Sequence, residues 1–138
     1  MKTPVTVDAS VFVNAFSPDE ESSDESAEFL SQLREEGVPL IQPTLFFPEV
    51  VASIARKQDA EEIALELAHE LKKFSKLTLI DLDEDLADYA SEIAAKYRLR
   101  GSDAVYAAVA LRFGAELVTL DKEQLSRLPK VLTVRKPK

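Results

Sequence analysis

The sequence predicts an α/β protein, a three-layer sandwich with a central, mainly parallel sheet of about five strands. Two patterns carry that prediction. Short apolar runs alternate with longer stretches of helical periodicity, and one of those stretches, Ser102-Asp103-Ala104-Val105-Tyr106-Ala107-Ala108, is built of small residues that let a helix lie close against a sheet. The length agrees: 138 residues fit one domain of about 100–200 residues, so residues 1–138 are expected to form a single domain.

Pro4 to Val7 reads as a short buried strand and Ser10 to Phe16 as a short helix, followed by the polar loop Ser17 to Ser23. Ser23 is a candidate cap for a helix running to about Glu36, with Ala27, Leu30 and Leu33 inward and Gly37 as the stop. Val38 to Gln42 is the second strand. Thr44 is the candidate cap of a helix over Leu45 to Lys57, in which Pro48 implies a later start or a kink. Asp59 with Glu62 resembles a capping box, and the helix that follows is expected to bury Ile63, Leu67, Leu71 and Phe74. Leu77 to Ile80 is the third strand. Asp83 caps a helix with Leu86, Ala90, Ile93, Ala94 and Tyr97 on one face. Gly101 or Ser102 caps the helix to Phe113, whose face Ala104, Ala107, Ala108 and Leu111 keeps the i, i+3, i+4, i+7 spacing. Glu116 to Leu120 is the fourth strand, Lys122 to Leu128 a short helical turn and Val131 to Val134 the fifth strand.

Composition narrows the chemistry. The absence of Cys removes disulfides, zinc–thiolate sites and thiol nucleophiles together. No apolar run approaches the ~18 residues of a membrane span, and Met1 to Asp8 holds no signal-like stretch, so a cytoplasmic protein without a membrane partner is expected. A formal net charge of −8 argues against binding nucleic acid by bulk electrostatics, while leaving room for local basic patches. The acidic runs Asp19-Glu20-Glu21, Asp24-Glu25, Glu35-Glu36 and Asp81 to Asp88 read as solvated faces.

Four acids do not fit that surface pattern. Asp8 ends Val5-Thr6-Val7, Glu49 interrupts Phe46-Phe47-Pro48-Glu49-Val50-Val51, Asp103 opens the small-residue helix and Asp121 ends Leu117-Val118-Thr119-Leu120. An acid in or beside a core segment costs several kcal/mol unless a cation pairs with it. No buried Lys or Arg is evident at these points, so a hard divalent metal is the economical partner. In an open parallel sheet the strand ends share one edge, which brings Asp8 and Asp121 together. Asp103, in the first turn of its helix, faces the same edge, and the macrodipole favours a carboxylate there. Glu49 joins them if its helix crosses that edge. Carboxylates gathered in this way repel, and one or two Mg²⁺ or Mn²⁺ ions would relieve that repulsion.

At these residues the chain resembles the PIN-domain nucleases, and within them the VapC-type toxins of toxin–antitoxin pairs. Val7-Asp8-Ala9-Ser10 resembles the family's opening Asp-x-Ser/Thr/Asn motif and Pro48-Glu49-Val50 its helix-borne Glu. Ser102 to Ala108 is similar to the Asp-Ala-x-x-Ala-Ala segment, and Leu117 to Asp121 to the Thr-x-Asp strand end. The resemblance covers nearly the whole chain. It implies Mg²⁺- or Mn²⁺-dependent endoribonuclease activity on single-stranded or looped RNA, with Asp8, Glu49, Asp103 and Asp121 holding the metal directly or through water. It implies that Ser10 positions a carboxylate or a metal-bound water and that Thr119 braces the Asp121 loop. It further implies a homodimer and a small antitoxin protein that blocks the site.

Candidate RNA contacts are Arg98 and Arg100, just before Asp103, and Lys122 after Asp121; Lys96 stands beside them. Asn14 and Glu123 are read as structural and solvated residues respectively, and His69 as a surface residue with no Ser-His-Asp pattern around it. Phe46 and Phe47 are either core, the default, or part of an antitoxin groove. Two alternatives stand beside the toxin: an RNA-processing nuclease of the same fold, and a non-catalytic binding module that keeps the fold.

Overall fold

The structure, a computed structural model, describes residues 2–137. The strands are β1 (Val5–Val7), β2 (Leu40–Pro43), β3 (Leu77–Ile80), β4 (Glu116–Val118) and β5 (Val134–Arg135). The helices are α1 (Ala9–Ala15), α2 (Ser23–Glu36), α3 (Phe46–Gln58), α4 (Glu61–Leu71), α5 (Glu84–Tyr97), α6 (Gly101–Phe113) and α7 (Lys122–Arg127). All strand pairs are parallel, in the order β3-β2-β1-β4-β5. The chain moves outward from β1 to β2 and β3, then returns across the sheet to β4 and β5. The crevice where strand order reverses, at the ends of β1 and β4, is where open α/β sheets bind ligands.

Burial explains the central position of β1 and α6. Val5, Thr6 and Val7 are all buried, as a strand flanked on both sides requires. In α6 every residue from Asp103 to Ala110 is buried. This is the pattern of a helix covered all round rather than on one stripe. It packs on β1, β2 and β4 and is itself covered by α5. Ala104, Ala107 and Ala108 have no exposure, and their small side chains permit this close approach. Leu111, expected on the same face, is only half-buried.

Several local expectations shift. The Asp59–Glu62 capping box does not form: Asp59 ends α3 in the left-handed region (φ 50°), and Ala60 precedes α4 without a side-chain cap. The inward face of α4 is Ala64, Leu67 and Leu71, while Ile63 is 50% exposed. With Leu67 and Leu71 inward, the 3.6-residue period places position 64 inside. Arg100, not Gly101 or Ser102, precedes α6, and β5 falls at Val134–Arg135 rather than Val131 to Val134. Ser22 and Leu45, not Ser23 and Thr44, are the residues before α2 and α3. Pro48 lies in the first turn of α3, where its missing N–H removes no helical bond. Asp83 caps α5, accepting from the Leu86 N–H at 2.8 Å.

Gln42 completes the sheet beside the site. It has no exposure, and its side chain accepts from the Val7 N–H at 2.6 Å and donates to the Val7 carbonyl at 2.8 Å. The amide thereby stands in for a strand backbone where β1 and β2 diverge. Gln42→Leu would strand both Val7 groups in the core. It should cost about 2–6 kcal/mol, at roughly 1–3 kcal/mol for each buried unsatisfied group. Urea denaturation of the purified variant measures this; a loss below about 1 kcal/mol would show that the amide is dispensable.

Candidate active site

Asp8 follows β1 directly and caps α1. Its Oδ2 accepts from the Ser10 hydroxyl at 2.6 Å, the Thr119 hydroxyl at 3.0 Å and, weakly, the Ser10 N–H at 3.4 Å. Ser10 Oγ in turn accepts from the Leu120 N–H at 3.2 Å, and Thr119 Oγ1 from the Asp121 N–H at 3.0 Å. The two hydroxyls therefore lock the end of β1 to the segment leaving β4. Asp121 caps α7 through the Gln124 N–H at 3.0 Å.

Glu49 reaches the same edge because α3 begins directly after β2. Its Oε1 accepts from the Tyr106 hydroxyl at 2.7 Å. Tyr106 and Asp103 are three residues apart on α6, hence on one face. Asp8, Ser10, Glu49, Arg100 and Asp103 line one open cleft of about 670 Å³. Asp121 lies at its border, joined to it through Arg100: the guanidinium donates to Asp103 Oδ2 at 3.0 Å and to Asp121 Oδ1 at 3.2 Å.

The electrostatics divide the acids into two pairs. Asp103 and Asp121 share the cation of Arg100, whose side chain is 70% exposed. Asp8, only 5% exposed, and Glu49 have no cationic partner among the described residues. Burial raises the pKa of Asp8 above the usual carboxylate range, against the lowering effect of Ser10 and Thr119 and with a further push from Glu49. Burial likewise raises Asp103, with Asp8 adding repulsion and Arg100 opposing it. Burial and the adjacent Glu49 raise the Tyr106 phenol, so it remains a donor.

A hard divalent ion suits this oxygen-only donor set, and the structure itself shows cation demand. Two acids have recruited a surface arginine, and a buried third has no cation. Among the described residues no three acids stand close enough to ligate one ion as they are placed.

Sequence reasoning missed three features. Tyr106 was legible only as the one large polar side chain in the small-residue run Asp103 to Ala110. Arg56 and Lys57 line the cleft from α3, Lys57 pairing with Glu20, which had read as a solvated acid. Arg56 follows Glu49 by seven residues, two helical turns along one face, a relation the helical period could have given. Of the candidate RNA contacts, Arg100 lines the cleft, whereas Arg98 and Lys122 do not. Asn14 is a structural clamp, donating to the Glu21 carbonyl at 2.9 Å and accepting from the Ser26 hydroxyl at 2.7 Å. His69 is exposed on α4.

The model of the PIN domain family matches residues 5–131. This chain belongs to the PIN domain family. The PIN fold is shared with a toxin–antitoxin complex from Klebsiella pneumoniae (TM-score 0.67, 20% identity, covering 97% of this chain and 98% of that one). It is shared with Mycobacterium tuberculosis VapC20, a sarcin-ricin loop cleaving toxin (TM-score 0.70, 14% identity, covering 86% and 90%). It is also shared with DNA-bound VapBC from Salmonella typhimurium (TM-score 0.69, 16% identity, covering 99% of both chains). At these identities the likeness speaks for the fold alone. No curated protein sequence matches the chain.

The raised carboxyls of this PIN domain have a consequence for stability. The folded state binds their protons more tightly than the unfolded state, so stability falls as pH rises from the unfolded to the folded pKa, and the penalty is complete above the latter. In EDTA, Asp8→Asn should therefore melt above wild type at neutral pH, with the gap closing as pH falls toward 4. Thermal denaturation across that range tests it; an Asn variant less stable at pH 7 would show that the carboxylate is already compensated.

Proposed function

We propose that this PIN domain is a divalent-metal-dependent endoribonuclease of the VapC type, the toxin of a toxin–antitoxin pair. The observation that carries the reading is Asp8: a buried carboxylate without a cationic partner, fixed by Ser10 and Thr119 at the cleft that Glu49 and Asp103 also line. Asp8, Glu49, Asp103 and Asp121 would hold Mg²⁺ or Mn²⁺, directly or through water. When bound, the ion supplies an activated water and a Lewis acid for in-line attack on a phosphodiester.

The chain's own residues do the rest. Ser10 and Thr119 keep Asp8 Oδ2 occupied on its protein side, leaving Asp8 Oδ1 for the cleft. Tyr106 orients Glu49 in the same manner. Arg100, once its acids are engaged elsewhere, is a mobile guanidinium at the rim, suited to a phosphate oxygen. Arg56 has no hydrogen-bonding or ion-pair partner among the described residues, and it supplies a second cation along the α3 wall. Hydrolysis at the P–O3′ bond would leave 5′-phosphate and 3′-hydroxyl ends. The M. tuberculosis neighbour is a sarcin-ricin loop cleaving toxin, and several neighbours are toxin–antitoxin complexes. A looped RNA substrate, a small antitoxin covering the cleft and a homodimer are the corresponding proposals here, in the cytoplasm.

Asp8→Asn and Asp103→Asn should each reduce RNA cleavage to background with the fold intact, since an amide is a poorer ligand for a hard cation. EDTA should stop cleavage, Mn²⁺ should restore it, and His69→Ala should leave it unchanged. Cleavage of a labelled RNA measures all of these, and retained activity in both Asn variants would exclude the site. Thr119→Val removes a hydrogen bond behind the ligand rather than the ligand itself. It should weaken Mn²⁺ binding by roughly 10–100-fold, read by calorimetry; unchanged affinity would mean that Ser10 alone holds Asp8.

A further inference from the structure

Away from the cleft, where α5 and α7 end, Lys96, Tyr97, Arg98, Arg127, Pro129 and Lys130 line an open depression of about 560 Å³. No acidic residue lines it, although Asp and Glu outnumber Lys and Arg by 25 to 17 in the chain. All four cations are exposed. Arg127 is held by Glu123 at 3.3 Å and donates to the Arg98 carbonyl; Lys96, Arg98 and Lys130 have no carboxylate partner among the described residues. Lys96 Nζ stands 5.5 Å from the Tyr97 ring centroid.

The backbone adds an independent observation. Arg98 ends α5 in the left-handed region (φ 56°), where glycine is the default. The helices α2 and α6 end at Gly37 and Gly114 in the same conformation. An arginine carried there at a cost in strain points to a use for its side chain. Arg98 is two residues from Arg100 of the cleft. Asp121 is the N-cap of α7 and Arg127 its last residue, so the depression lies about 9 Å along the helix from that acid, at ~1.5 Å per residue.

We propose that this depression is a second RNA-binding site, a phosphate-backbone exosite that holds the strand flanking the bond cut in the cleft. It rests on the ribonuclease reading and adds to it. An acidic cleft on an acidic chain holds a polyanion poorly, and a separate cationic surface provides the affinity that the cleft lacks. The charge is read along the backbone without sequence preference, and the half-buried Tyr97 ring adds apolar contact.

The test is anisotropy in EDTA with single-stranded RNA of about 20 nucleotides and of about four, the shorter able to fill only one site. Arg98→Gly removes the cation and relieves the backbone, so it should bind the longer RNA less tightly without lowering the melting temperature. Arg98→Gly with Lys130→Ala should reduce the slope of log affinity against log salt by about 1.4 for the longer RNA, at ~0.7 per lost phosphate contact. Affinity for the shorter RNA should fall as well, because in EDTA the depression, not the acidic cleft, is the site it fills. Unchanged affinity and slope for the longer RNA, or unchanged affinity for the shorter, overturns the exosite. Metal-dependent cleavage is followed in parallel. Cleavage by a chain whose double variant binds the longer RNA like wild type sinks the exosite and leaves the nuclease. Charge-dependent binding without any cleavage upholds the surface and sinks the nuclease.

Discussion

The burial of the Asp8 carboxyl without a cation beside it is the constraint around which the rest of the structure is arranged. Its Oδ2 is the meeting point of three segments: the end of β1, the first turn of α1 through Ser10, and the exit of β4 through Thr119. Hydrogen bonds of this kind fix a carboxylate in place, yet they do not cancel its charge, and burying an uncompensated charge costs several kcal/mol. That burial raises the carboxyl in spite of the hydroxyls shows which influence is larger. The site is thus built at the expense of stability, as expected of groups held ready for a cation. Gln42 belongs to the same construction, because it secures the backbone of Val7 immediately before the acid.

Arg100 is a different kind of compensation. It bridges two acids at ordinary distances, but its side chain is largely in water, where ion pairs are worth about 0–1 kcal/mol. Such a bridge opens easily. A divalent ion gains far more from the same oxygens, since they would engage twice the charge and replace a hydrated surface contact. The guanidinium therefore reports the need for positive charge without blocking a stronger claimant. Had a buried arginine filled the centre of the cleft against Asp8, the site would have read as a structural ion pair. The partner of Asp103 and Asp121 lies at the rim instead.

Much of this was legible from residues alone. Parallel strand ends follow from alternating short apolar runs and helices, and an acid directly after such a run must sit at the shared edge, which placed Asp8 and Asp121. Asp103 was legible from its position at the start of a helix whose small residues demand close packing. Glu49 needed the length of the β2–α3 connection, which Pro48 obscured until it proved to lie in the first helical turn. The side-chain network was not legible. The Tyr106–Glu49 bond spans 57 residues and the Thr119–Asp8 bond 111, and no local pattern encodes a contact at such separation. Capping was the weakest guide: Asp59 suits a cap by composition, but α3 ends on it in a left-handed turn, and a residue cannot also take the extended conformation of an N-cap.

The overall charge of the chain carries a further implication. A metal-dependent nuclease needs acids where the bond is cut and cations where the strand is held, and the two demands compete within a Debye length of about 8–10 Å. Cations within the cleft are drawn to its acids, as Arg100 to Asp103 and Asp121 and Lys57 to Glu20 show. Cations intended for phosphate are best placed beyond that range or aimed away from the acids. The depression around Arg98, about 9 Å along α7 from Asp121, and Arg56, two turns or roughly 10 Å from Glu49, both stand at the edge of that range. Separating the two functions allows a chain of net charge −8 to act on a polyanion, with selection by the spacing of its sites rather than by bulk attraction.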